Sequence, residues 1–337
     1  MAVSSELPLV NPASPAQYAR GYARRYRRTG IAAFVFLSVA ALLFFLHRSG
    51  LESWRFRPSA ESLKPAVAHI PETIWQIMLP KKPTPDQPTI EAGRLENTAS
   101  WLALNPNYFY TLVDQKGGDD FIHQHFSHRP DIIETYTNMP NVGMKSDMLR
   151  YLLLSIEGGV YTDTDTIALQ PIEKWIPSHI RNRTRAIVGI EYDRREGPAW
   201  ADIPHVLQFC QWTIAAAPGH PVFDKMVNRI INSTKLLAEE HKVPLNQVKP
   251  ESIEVMNSTG PAAWTDVVFE QLQELEPWIK ELTDLSYMKE PTLYGDMLVL
   301  PIDGFGMGQP HSDSTNDGSI PPDALARHLF KGTWRGN

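Results

Sequence analysis

Residues 145–166 read KSDMLRYLLLSIEGGVYTDTDT, and this segment narrows the possible fold more than any other. Its first thirteen residues are helix formers with a long apolar run, as in a helix packed on a core. Gly158 and Gly159 stop that helix. Val160 and Tyr161 open a short strand, and Asp163 and Asp165 follow at its carboxyl end. A helix turning sharply into a strand is part of an α/β unit. In open α/β sheets, ligands bind beyond the carboxyl ends of the strands. Side chains at i and i+2 of an extended segment point the same way, so the two carboxylates are expected to converge on one object. Asp147 and Arg150 lie three residues apart on the preceding helix and share one of its faces.

The flanking sequence extends the pattern. TIWQIM (73–78), YFYTLVD (108–114) and AIVGIEYD (186–193) read as strands, and IEAGRLENTASWLALNP reads as a helix stopping at Pro106. Strands alternating with helices predict an α/β domain with a mostly parallel sheet. Residues 234–290 carry only a weak pattern. A net charge of −6 argues against nucleic acid as the main partner, because phosphate binding needs a basic face. The lone cysteine, Cys210, excludes an intrachain disulfide and cysteine-rich zinc sites. Nine tryptophans and 28 prolines predict structured loops with aromatic surfaces suited to flat ligands.

The amino-terminal region has a different character. Arg20, Arg24, Arg25, Arg27 and Arg28 precede the uncharged run GIAAFVFLSVAALLFFL. As a helix that run is about 25 Å long, enough for a thin secretory bilayer. A cleaved signal peptide fits less well, because the run begins far in and no small-x-small cleavage site follows. A buried core helix is disfavoured by the arginine cluster and the lack of any polar face. Arginines stay on the cytosolic side. The expected layout is a cytosolic tail (1–29), a transmembrane signal anchor (30–47), a stem (48–69) and a luminal domain (70–337).

The acid pair suits a hard divalent cation. Two carboxylates favour Mg²⁺ or Mn²⁺, which bind oxygen ligands and keep positions open for phosphate oxygens. At about 4 Å and an effective dielectric near 20, a single positive charge gains roughly 4 kcal/mol against a phosphate charge, and a dication about twice that. A bare D-x-D is more commonly a turn or a helix cap. Joined to the SDMLRY helix and the double glycine, it reads as a metal–diphosphate site.

The 22-residue segment resembles the sugar-binding region of glycosyltransferase family 32, whose pattern is S-D-x-x-R-Y, a spacer, and G-G-x-Y-x-D-x-D. Every fixed position matches. IPETIWQIMLP and SWLALNPNYFYTLVD are similar to the family's first two strands. NSTGPAAWTDVV, GDMLVLPIDGFG and HLFKGTW resemble later segments of its fungal initiating α-1,6-mannosyltransferase branch.

The resemblance implies a GT-A fold, a GDP-mannose donor, Mn²⁺ (or Mg²⁺), and retaining transfer to an N-glycan mannose. It implies a single-pass type II protein of the Golgi membrane, and it leaves room for a mannosyltransferase complex. Asp165 matches the direct metal ligand, and Asp163 matches a residue contacting the ribose or donor sugar that also reaches the metal. Asp147 and Arg150 match residues holding the donor sugar's hydroxyls, with Arg150 also stabilising the departing GDP. Trp75 matches an aromatic stacked on the base. His328 and Trp334 match a closing segment over the donor, with His328 a candidate third metal ligand. Thr259, Gly260 and Pro261 are candidates for a tight loop near the phosphates or the acceptor. Glu191 and Asp193, at another strand end, are candidates to orient the acceptor hydroxyl.

Two alternatives stand beside this reading. One is transfer to inositol phosphoceramide, disfavoured because no hydrophobic span follows the catalytic region. The other is a catalytically silent subunit. Three sequons, at Asn182, Asn232 and Asn257, are potential glycosylation sites, with Asn232 the favoured one.

Overall fold

The computed structural model describes residues 69–80, 92–200 and 203–332, all of which belong to the unit Lys64–Asn337. The proposed tail, anchor and stem up to residue 68 lie outside the described residues, as does Trp334. Among the described residues, no helix is long and apolar enough to cross a membrane.

The strands are β1 (Thr73–Ile77), β2 (Phe109–Val113), β3 (Gly159–Thr162), β4 (Thr166–Ala168), β5 (Ala186–Asp193), β6 (Leu207–Phe209), β7 (Thr213–Ala216), β8 (Thr292–Tyr294), β9 (Met297–Leu300) and β10 (Ala326–His328). The helices are α1 (Thr98–Leu104), α2 (Gln115–His125), α3 (Pro130–Thr137), α4 (Val142–Ile156), α5 (Pro221–His241), α6 (Ser252–Ser258), α7 (Pro261–Leu275) and the short α8 (Ile302–Gly306). The main sheet runs β2-β1-β3-β7-β5-β9-β8, with β6 paired to β5, while β4 and β10 form a separate ribbon.

The expectation of a mostly parallel sheet needs correction. β1 pairs in parallel with β2 and β3, and β5 with β9. The four other pairings described in this sheet, β3–β7, β5–β7, β5–β6 and β8–β9, are antiparallel. The stretch from β5 to β7 carries the strand β6 and, among the described residues, no crossover helix, and β7 returns antiparallel to its neighbours. The predicted helix before Pro106 is also divided, into a 3-10 turn at Ala92–Leu95 and α1.

Apolar side chains cover both faces of the sheet, which is why β5 reads as a nearly continuous hydrophobic run. Ile74, Val160, Ile187 and Leu298 pack on one face with Trp101, Trp175 and Phe305. Tyr161, Val188 and Val299 pack on the other, beneath the long helices. There Trp264 of α7 stacks on Tyr151 of α4 and Phe223 of α5, with ring centroids 5.1 and 5.9 Å apart. One buried indole therefore ties three helices together.

The turn out of α4 depends on its glycines. Asn141 caps the helix start, accepting from the amides of Gly143 and Met144. At the other end Gly158 and Gly159 adopt φ of +66° and +97°. A Cβ on Gly159 would meet the Thr73 carbonyl oxygen at 2.7 Å. Neither glycine can be replaced without strain in both backbone and contact. Gly159→Ala is expected to lower stability by about 2 kcal/mol or more, read as a shift in urea midpoint at constant slope.

Candidate active site

Polarity decides where a site can form. β1, β3, β5 and β9 run the same way, and antiparallel β7 begins where they end. A cavity of about 350 Å³ lies at this edge. Asp163 and Asp165 line it from the end of β3, Glu191 from β5, Gln211 and Trp212 from the start of β7, and Asp147 and Arg150 from α4.

The two acids do not converge by strand alternation as expected. β3 ends at Thr162, and residues 163–166 form a turn in which the Asp163 carbonyl accepts from Thr166 N and Oγ1 at 3.2 and 2.6 Å. Threonines lock this turn: Thr162 Oγ1 lies 2.7 Å from Thr166 Oγ1 and 2.9 Å from Thr213 Oγ1. Fully buried Gln76 also holds it, donating to the Asp163 carbonyl at 3.1 Å and accepting from Thr98 and Tyr110.

Arg150 connects helix and turn. Its Nη2 lies 2.8 Å from Asp147 Oδ1, and its Nη1 lies 3.3 Å from Asp163 Oδ1 and donates to the Gln211 carbonyl at 3.1 Å. Its Nε faces the Ser146 carbonyl at 3.5 Å, and the guanidinium sits 4.6 Å from the Tyr161 ring centroid. All three nitrogens are engaged by the protein. Burial works against its charge, but Tyr161, Asp163 and Asp147 hold its pKa above the ordinary range. Asp147 and Arg150 are only 4% and 5% exposed, so this is no surface ion pair. Burial pushes the Asp147 carboxyl up to about 7, against the opposing pull of Arg150 and of the Thr259 hydroxyl, which donates to Asp147 Oδ2 at 2.8 Å.

Asp163 Oδ1 accepts from the Tyr161 hydroxyl as well as facing Arg150, so this carboxylate is held at one oxygen. Asp165 is held from the carboxy-terminal segment: His328 Nε2 lies 3.2 Å from its Oδ1, and the Lys331 amide donates to its Oδ2 at 3.0 Å. Burial alone would raise the Asp165 pKa, but His328 and the Lys331 amide hold it below the usual carboxylate range. Strand β10 delivers His328, pairing with β4 so that His328 faces Thr166. The imidazole stacks on Trp212 at 4.6 Å, and its buried Nδ1 has no partner.

These residues fit a divalent cation. One ligand atom each from Asp163, Asp165 and His328 lie within 4.8 Å of one another. The 3.2 Å between His328 Nε2 and Asp165 Oδ1 is near the ~3 Å separating adjacent ligands on an octahedral ion with ~2.1 Å bonds. Two carboxylates and an imidazole are an acceptable donor set for Mn²⁺.

Glu191 lines the same cavity and occupies a β-bulge, where the pairing of β5 with β6 slips between Ile190 and Tyr192. Bulges re-aim side chains beside active sites. Gln208 donates to Glu191 Oε2 at 2.9 Å, and burial pushes this carboxyl from 4.5 up to about 7. The sign of its effect on stability follows. Below about pH 4.5 the acid is protonated whether the chain is folded or not, and nothing is lost. Between about 4.5 and 7 the folded chain holds the extra proton, so stability falls as pH rises, and the full penalty remains above 7. Glu191→Gln is therefore expected to raise the urea midpoint at pH 8 and to leave it nearly unchanged at pH 4.5.

Three expectations meet a different placement. Trp75 does not line the cavity. It sits before the end of β1, packs toward the helix-side core and donates to the Gly158 carbonyl at 2.8 Å, while Ile77 and Leu79 further along reach the cavity. Asp193 does not line it either. Its carboxylate accepts from Ser286 Oγ and the Tyr287 amide and pairs with Arg195, which makes it a loop anchor. Thr259 acts through Asp147, whereas Gly260 and Pro261, at the start of α7, line the cavity directly. Asn182, Asn232 and Asn257 are exposed, but the threonines of their sequons are buried and hydrogen-bonded.

Comparison with known proteins agrees with the geometry. The family model described as a glycosyltransferase sugar-binding region containing a DXD motif matches residues 93–181, which include α4, the double glycine and the acid pair. An initiation-specific α-1,6-mannosyltransferase of Candida albicans is 34% identical over 287 residues, covering 79% of this chain and 72% of that protein. The chain belongs to this DXD glycosyltransferase family. Its mixed α/β sheet with the acid pair at a strand end is the GT-A-like arrangement that membership implies.

A Schizosaccharomyces pombe protein of the same description is 38% identical over 278 residues, covering 80% of this chain. The match spans 65% of that relative's length. A mannosyl phosphorylinositol ceramide synthase of Saccharomyces cerevisiae is 26% identical over 173 residues, half of this chain and 36% of that protein.

Proposed function

We propose that the chain is a retaining α-1,6-mannosyltransferase that moves mannose from GDP-mannose to an N-glycan mannose in a Mn²⁺-dependent reaction. The observation that carries this is the charge of the cavity. Asp163 and Asp165 are joined there by Asp147 and Glu191, while Arg150 is the only Lys or Arg among the described lining residues. Burial favours the protonated forms of Asp147 and Glu191, and even without their charge Asp163 and Asp165 outnumber the single cation Arg150. A diphosphate needs a compensating cation to enter such a cavity, and Asp163, Asp165 and His328 are the residues that would hold one.

The bond that breaks joins mannose C1 to a phosphate oxygen, and its electron pair leaves with GDP. The bond that forms joins C1 to the acceptor O6, whose proton passes to the departing phosphate oxygen. Attack from the leaving-group face retains the α configuration. Mn²⁺, when bound, supplies double positive charge beside the diphosphate oxygens. Arg150 fixes Asp147 and Asp163 relative to each other and adds its own charge to the low-dielectric wall. Asp147 and Asp163 accept hydrogen bonds from donor hydroxyls, and Glu191 accepts from the acceptor hydroxyl. By the same reading the chain is a type II Golgi protein with this domain in the lumen.

The names of the fungal relatives support the mannosyl donor and the α-1,6 linkage. The weaker likeness to an inositol phosphoceramide enzyme covers half of this chain and keeps that acceptor as the second reading. Offering the full chain radiolabelled GDP-mannose and Mn²⁺ with either a high-mannose glycan or inositol phosphoceramide separates the two. Label on the glycan supports the proposal. Label on the lipid alone transfers the assignment to the second reading. No transfer and no donor hydrolysis supports a silent subunit.

A further inference from the structure

The cavity has two unlike walls. β5 stands two strand spacings from β3, about 10 Å, because β7 lies between them. The β3 wall carries the Asp163–Asp165 turn and Arg150. The β5 wall is built from Glu191, from Trp200 and Ile203 in the β5–β6 connection, and from Gln309 and His311 in the loop after α8. These five residues carry no permanent positive charge. Burial lowers the pKa of His311, which favours its neutral form.

Trp200 is unusual for a large aromatic. It is 42% exposed at the cavity, yet its ring is held: His311 meets it edge-on at 5.0 Å, and Tyr192 supports His311 at 5.1 Å. Gln309 is only 6% exposed, lines the cavity, and has no hydrogen-bond partner for its side-chain N–H groups. An unpartnered buried amide in a cavity wall is a group built to meet a ligand. The wall thus combines a supported aromatic face, an amide donor and a carboxyl acceptor.

We propose that the β5 wall is the acceptor subsite and that it takes a neutral hexose, stacked on Trp200, with its hydroxyls meeting Gln309 and Glu191. A sugar ring has one face of C–H groups and a rim of hydroxyls, which is the complement of this wall. A phosphorylated headgroup is a poor match, since its anion would face Glu191 with no Lys or Arg among the described residues of that wall. The proposal rests on the transferase reading above and adds the residues, Trp200 and Gln309 beside Glu191, that would hold its acceptor.

The test uses the full chain and separates the two readings. Acceptor KM is measured with a high-mannose glycan, and direct binding of that glycan and of GDP with Mn²⁺ is measured by calorimetry. Trp200→Ala is expected to raise acceptor KM by about tenfold and leave the GDP affinity unchanged, while Trp200→Phe restores most of the loss. Gln309→Leu is expected to raise acceptor KM as well. Inositol phosphate is expected not to compete with the glycan. An unchanged acceptor KM in both Trp200→Ala and Gln309→Leu overturns the subsite and leaves the transferase reading standing. Glycan binding that depends on Trp200 in a chain without turnover keeps the subsite and overturns the transferase reading. Competition by inositol phosphate at micromolar concentration overturns the neutral-acceptor assignment.

Discussion

Asp165→Ala is expected to reduce Mn²⁺-dependent transfer by roughly a thousandfold while leaving the fold intact. Losing one preorganised electrostatic group in an active site costs about 3–4 kcal/mol of transition-state stabilisation, and a metal ligand acts at least that strongly. The structural cost is small by comparison. The substitution removes contacts with His328 and with the Lys331 amide, at about 1 kcal/mol for a typical hydrogen bond, and it also removes one anion from an acidic cavity. Two readouts separate loss of chemistry from loss of fold. Circular dichroism and the urea midpoint of the variant stay close to wild type. Added Mn²⁺ raises the melting temperature of the wild-type chain and not that of the variant, since only the folded wild-type site binds the ion. Wild-type turnover in Asp165→Ala would remove this residue from the metal site.

Arg150→Met is expected to have the largest effect on stability, about 3–5 kcal/mol, because it strips the partner from buried Asp147 and part-buried Asp163 at once. Arg150→Lys is expected to restore little. The guanidinium uses its three nitrogens in different directions, toward Asp147, toward Asp163 with the Gln211 carbonyl, and toward Ser146, and an ammonium cannot span them. The double variant Asp147→Asn with Arg150→Met should be more stable than Arg150→Met alone, because the more deeply buried of the two stranded carboxylates is gone. Equal midpoints for the single and double variants would contradict a coupled pair. Turnover is expected to be lost in all three, which distinguishes restored packing from restored chemistry.

Much of the frame was legible in the chain. Residues 145–166 announced a helix, a glycine-dependent reversal and a strand ending in two acids, because each step is local chemistry. β5 was legible over its full length, Ala186–Asp193, because a doubly covered strand is a continuous apolar run. The direction of β7 was not legible, since a four-residue strand carries no polarity in its composition. The turn at residues 163–166 was read as extended because its locks, Gln76 and Thr213, come from distant strands.

Trp75 was placed against the base by resemblance alone, and an aromatic on a first strand is ambiguous until the end of that strand is located. Glu191 was visible as an acid near a strand end, but the bulge that turns it toward the cavity depends on the register with β6. Trp200, Gln211, Trp212 and Gln309 had no local signal at all. Tertiary structure alone makes them cavity residues. His328 was suggested only by resemblance. Its approach to Asp165 spans 163 residues and rests on the β4–β10 ribbon.

The most direct test of the central claim is a donor screen. The full chain, with Mn²⁺ and a high-mannose glycan, is offered GDP-mannose beside UDP- and GDP-linked alternatives, and the product linkage is read by NMR. The predicted result is one new α-1,6-linked mannose, formed from GDP-mannose and lost when Mn²⁺ is chelated. A β-configured product, preference for another donor, or undiminished transfer without a divalent cation would contradict the account.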